Sequence, residues 1–302
     1  MNLPAGIQGS GFRSMIAVGT VTQVGTGISV DGVPFSTQGA SVEIDNSPGS
    51  QKQLHIGDIV TVAGTAAPGQ SGATADQISF SGNVRGPVSS VDVSAGTMQV
   101  LDQTVQTTHA TIFGGALKPA GLAGIEVGDV VEVSGFTTSV GGIVASRIDA
   151  AAANSALRVT GNVQSLNTVQ HTFSIGSLVV DFSNAEIDGS VSEGAMVAVM
   201  GSKLISAALL QASRLAVLPP LRSEPGSMGR IDGIITDFPS NTYFEVNGLP
   251  VLINAQTKIN PNVHLGLDAG VKIEGQFDVN GVLVADHVQA NSRGHVGSKG
   301  GS

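Results

Sequence analysis

The sequence predicts an all-β protein built as four tandem small OB-like β-barrels of about 70 residues each. Three observations predict it: a glycine-rich composition poor in ions, short β-branched stretches punctuated by tight-turn signals, and a set of landmarks that recurs four times. Glycine occupies 41 of 302 positions, roughly twice average usage, and charged residues make up 12%, about half the usual share. Polarity is therefore carried by Ser, Thr, Asn, Gln and Gly. Such a chain is a poor helix former and also lacks the high charge of a disordered one.

Each unit opens on a glycine-led stretch: Gly19-Thr20-Val21, Gly86-Pro87-Val88, Gly161-Asn162-Val163 and Gly233-Ile234-Ile235. A hairpin follows, at Ile28 to Phe35, Thr172 to Phe182 and Tyr243 to Ile253. The Asp31-Gly32 and Asn247-Gly248 pairs are strong hairpin turns, because both central residues take positive φ. The second unit has Leu101-Asp102 at this place, a weaker turn signal. A third element runs His55 to Gly64, Val127 to Gly135, Glu193 to Gly201 and Leu267 to Gly275. Alternation such as Val131-Glu132-Val133 marks one buried and one wet face. Each unit closes on Ala-x-x-aliphatic, with Ala75, Ala145, Ala212 and Ala285 spaced by 70, 67 and 73 positions.

A unit of five or six short strands must protect its edges, and closure into a Greek-key barrel of OB type does so. A string of small sandwiches is the alternative that the strand pattern leaves open. Where OB folds often carry a helix, the stretch from Phe113 to Ala123 reads as loop or short turn. The expected layout is an N-terminal tail over 1–15, able to donate a strand, with barrels over 16–82, 83–150, 157–218 and 229–290. A Pro-rich linker spans 219–228 and a Gly/Ser tail 291–302. The first joint has no spare residues, Ala150 to Ala156 suits a helical turn, and the third joint is a semi-extended spacer. Stiff tandem units of this kind predict a rod.

The net charge is −9, with no cluster of Lys or Arg. Nucleic-acid binders normally show a basic face, so nucleic acid is not an expected partner. Zero cysteines exclude disulfides and thiolate chemistry. No apolar run is long enough for a transmembrane helix, and the start lacks the basic and apolar regions of a signal peptide. The six histidines (His55, His109, His171, His264, His287, His295) show no metal-ligand spacing, so no metal or cofactor is expected. Asp58 and Asp129, each after a glycine, suit turn capping. Arg147 and Arg214 share a closing-strand position held by Gln77 and His287 in the other units, so outward solvated side chains are expected there. No nucleophile elbow, phosphate loop or dinucleotide fingerprint occurs, and no catalytic residue is assigned. Most phenylalanines belong to cores.

The segments Val84–Phe113, Gly128–Phe136, Ile143–Ile148 and Arg158–Ile187 carry a resemblance. Together they resemble a bacterial cell-envelope family known only as a domain of unknown function, with tandem OB-like repeats. The resemblance spans about Ile16 to Ala290 and implies an exported, repeat-built protein without assigned catalytic residues. Members are often lipoproteins, an anchor that this cysteine-free chain does not support. The leading expectation is a non-enzymatic extracellular or cell-surface structural protein, its signal peptide absent from this numbering. It would associate with copies of itself or other envelope components, as a filament subunit joined by strand addition through Leu3, Ile7 and Phe12. The alternative is a glycan- or envelope-ligand-binding module using barrel faces, with Tyr243 the candidate contact.

Overall fold

The computed structural model describes residues 13–67, 72–206, 208–219, 221 and 223–291. Among these residues regular structure is all strand apart from two 3₁₀ turns, Gln51–Gln53 and Leu122–Gly124. The first segment holds β1 (Arg13–Val24), β2 (Ile28–Val30), β3 (Val33–Ser36), β4 (Ser41–Ile44), β5 (Ser47–Pro48), β6 (Ile59–Ala66) and β7 (Ala73–Phe80). Pairing runs β1–β2–β3–β7–β6 and returns to β1, with β3 and β7 parallel. That closed circuit is the OB-type Greek key, and its closure pairs most of the sheet edges. The barrel expectation holds and the sandwich alternative does not.

The same circuit recurs along the chain as a tandem repeat. Next come β8 (Val84–Asp92), β9 (Thr97–Val100), β10 (Gln103–Gln106), β11 (Ile112–Phe113), β12 (Val130–Thr137) and β13 (Ile143–Ala150). Then follow β14 (Leu157–Asn162), β15 (Gln164–Asn167), β16 (Thr172–Ile175), β17 (Leu178–Asp181), β18 (Glu186–Asp188), β19 (Met196–Ser206) and β20 (Leu209–Val217). Last are β21 (Met228–Asp237), β22 (Tyr243–Val246), β23 (Leu249–Leu252), β24 (Lys258–Ile259), β25 (Gly270–Phe277) and β26 (Leu283–Ala290). Between β13 and β14 the chain makes a turn, Ser155 donating to the Ala152 carbonyl at 2.9 Å, and not the expected helical turn.

The recurring landmarks have physical causes. The register slips at Gly135 and Gly275, where the strand bulges against the closing strand. A Cβ there would collide with the carbonyl oxygen of Val144 or Val284. The glycine of the opening stretch lies beneath the hairpin turn: Gly86 is covered by the Leu101 side chain. That contact explains the turn that the sequence marks as weak. Leu101 and Asp102 both adopt positive φ (46° and 59°), with Leu101 buried at 2% exposure. Packing over Gly86 supports a conformation that Leu rarely takes alone.

The predicted rod does not form. The first half of β1 pairs with β6 on one edge, while β2 takes the other edge only from Val21 onward. The vacant edge at Met15–Val18 is filled in parallel by Met228–Ile231 of β21, which joins the first barrel segment to the last. Likewise β8 meets β14 antiparallel at Val84 and Arg85. Backbone groups left over by a bent opening strand must find partners, and the opening strands find one another.

Candidate binding cleft

The seams between segments are held by charges that lie far apart in sequence. Asp45, in the β4–β5 hairpin, meets Arg85 of β8 and Arg158 of β14, with Glu132 of β12 completing the group. Arg85 Nη2 lies 2.7 Å from Asp45 Oδ2 and 2.8 Å from Glu132 Oε1. Arg158 is 1% exposed and donates to Ser81 Oγ at 3.1 Å and to the Gly82 carbonyl. Burial pulls its pKa below the ordinary guanidinium value, while Asp45 and Glu132 resist. Two cations and two anions cancel, so the group can be buried at all. Arg85 and Arg158 stand directly opposite each other, a repulsive pairing that the two carboxylates make tolerable. No spacing in the sequence announces this cluster, because its members come from three barrel segments.

A second seam joins the 55–59 turn to the β11–β13 face. Asp58 caps the turn by accepting from the His55 backbone N–H at 2.7 Å, as Asp129 does from Glu126 at 2.9 Å. The capping expectation is met. Asp58 is 3% exposed, and burial raises its pKa to about 6 despite the nearby His55 and Arg147. Arg147 is not the solvated side chain expected. It donates to the Ile56 carbonyl at 2.9 Å and to Asp149 at 2.6 Å, because the preceding segment docks on its strand. Arg214 is exposed, as expected. The last segment adds Asp268, which accepts from Ser139 N and Oγ at 2.8 and 3.1 Å. Phe136, Val144 and Ile234, with Ile59 against them, form a small apolar cluster shared by three segments.

These seams enclose a cleft of about 960 Å³, to which every barrel segment contributes wall. Its lining is amide, hydroxyl and aliphatic: Asn46, Gln77, Gln103, Thr138 and Gln164 are typical. Among the described residues, Glu43 and Glu245 are its only ionisable lining residues, with no Lys, Arg or His beside them. Burial, then the nearby Asp237 charge, raises the Glu245 pKa. A smaller cavity of about 350 Å³ lies at the β1–β21 seam and is charged, with Arg13, Arg230, Lys258, Glu274 and Asp286 on its wall. Tyr243 stands at the start of β22, 40% exposed, and does not line the cleft. Leu3, Ile7 and Phe12 lie outside the described residues. Among the described residues no group of three or more His, Asp or Glu is placed to hold a metal ion, and no helix is long and apolar enough to cross a membrane.

Residues 85–149 and 229–289 match the domain of unknown function DUF5666. The two DUF5666 segments coincide with the β8–β13 and β21–β26 circuits. No curated protein matches the chain. Among solved structures, drosophila Unr CSD456 is similar at 16% identity with a TM-score of 0.18, over 69% of this chain and 97% of that one.

Proposed function

We propose that the chain is four copies of one OB-like unit locked into a single block, and that it acts as a non-enzymatic interaction protein outside the cytoplasm. The observation that carries this reading is the mutual pairing of opening strands, β1 with β21 and β8 with β14. It spends the units' free edges on one another and gathers them around a shared cleft. The buried Arg85–Arg158–Asp45–Glu132 group supports the same reading, since it is balanced only when three units meet. Copies of the block, or other envelope components, are its partners in this proposal, and the segment bearing Leu3, Ile7 and Phe12 supplies a strand to the neighbour. Removal of residues 1–12, followed by light scattering after size exclusion, tests the association. The full chain is expected to self-associate and the shortened one to run as a monomer. Equal masses for the two would overturn assembly through the N-terminal segment.

A further inference from the structure

We propose that the central cleft is a binding site for an uncharged, hydroxyl-rich chain, a neutral oligosaccharide. The inference rests on the locked-block reading, because every barrel segment contributes to the wall. The volume of about 960 Å³ lies at the upper end of small-molecule pockets. A ligand's chemistry must match the wall. With no cation among the described lining residues, a phosphate or sulfate would be desolvated without compensation, so polyanions are disfavoured. A purely apolar ligand is disfavoured too, because it would cover amides and hydroxyls without satisfying them.

The polar groups at this wall are partly unspent. Gln103 is 3% exposed, and its Nε2 donates to the Ile175 carbonyl at 2.8 Å and the Leu101 carbonyl at 3.3 Å. Those bonds fix the amide, while nothing among the described residues donates to its Oε1. Gln77, half-buried, makes no side-chain hydrogen bond among the described residues. The Thr138 hydroxyl has no hydrogen-bond partner among the described residues. Side-chain amides offer both donors and acceptors, and carboxylates such as Glu43 and Glu245 accept, which is the set that sugar hydroxyls engage. A neutral peptide offers mainly backbone amides at fixed spacing and has less to give a wall so rich in acceptors.

Isothermal titration of the full chain tests this with maltohexaose, cellohexaose and chitohexaose, an oligogalacturonate of similar length, and an uncharged Gly/Ser peptide. At least one neutral sugar is expected to bind saturably, with neither the oligogalacturonate nor the peptide binding. Gln77→Ala should weaken that binding at least tenfold with an unchanged melting temperature. Gln103→Leu should weaken it too but also lower the melting temperature, because the Ile175 and Leu101 carbonyls lose their donor. Tyr243→Ala, remote from the cleft, should leave it unchanged. Failure of all three sugars to bind, or equal affinity in Gln77→Ala, would overturn the site, as would binding of only the oligogalacturonate or the peptide. X-ray scattering on the same samples separates the two readings: a compact particle that binds no sugar defeats the cleft alone, whereas an extended one defeats the locked block.

Discussion

Two seams of this molecule join barrels by pairing their opening strands, yet they manage charge in opposite ways. Where β8 meets β14, Arg158 has a side chain 2% exposed and is matched by Asp45 and Glu132 from other segments. Where β1 meets β21, Lys272 reaches Asp31 at 3.3 Å and Asp232 at 3.9 Å, but its side chain is 38% exposed. Water reaches Lys272 itself, although its partners Asp31 and Asp232 are buried at 6% and 1% exposure, whereas Arg158 is out of reach of water. The comparison teaches that the first seam is specified by charge, because any other arrangement strands a buried ion, whereas the second is specified by backbone pairing and apolar contact.

The largest effect expected is therefore that of Arg158→Ala. It leaves Asp45 and Glu132 to share Arg85 in a buried site and should cost about 3–5 kcal/mol in urea unfolding. A loss below about 1 kcal/mol would show that the cluster is hydrated and does not specify the seam.

Next in size is the pH response of Asp58. Its folded pKa of about 6 lies above the ordinary 3.8, so its stabilising contribution is complete below 3.8 and is lost as pH rises through about 6. The difference of roughly two units corresponds to about 3 kcal/mol. The groups facing it are His55, Arg147 and Asp149. Asp58→Asn keeps a carbonyl oxygen for the His55 N–H and should abolish this slope between pH 4 and 7. Stability profiles of the two proteins that run parallel over that range would contradict the assignment.

The smallest effect belongs to the exposed seam. Lys272→Ala should cost less than Arg158→Ala, about 1–2 kcal/mol, because the exposed cation is lost while Asp31 and Asp232 stay buried. A cost comparable to that of Arg158→Ala would erase the contrast between the seams.

Much of the barrel was legible in the residues themselves. The glycine ending Val131-Glu132-Val133-Ser134-Gly135 recurs because a bulge puts a carbonyl where a Cβ would be. The aspartates of the Gly-Asp turns cap their turns as their position implies. What could not be read were relations between segments. Leu101-Asp102 looks like a poor turn until Gly86 beneath it is seen. Arg147 looks like a surface residue until the 55–59 turn sits on it. The cleft has no motif, because its amides and hydroxyls come from strands whose neighbours are set by pairing between barrels. Local chemistry fixes each circuit, while the meeting of β1 with β21 depends on which free edge lies within reach.

Small-angle X-ray scattering of a monomeric preparation tests that meeting most directly. With β1 and β21 paired, the chain should give a radius of gyration of about 20 Å and a single symmetric distribution of interatomic distances. A markedly larger radius with a long, skewed distribution, as for barrels strung end to end, would contradict the block and the cleft it encloses.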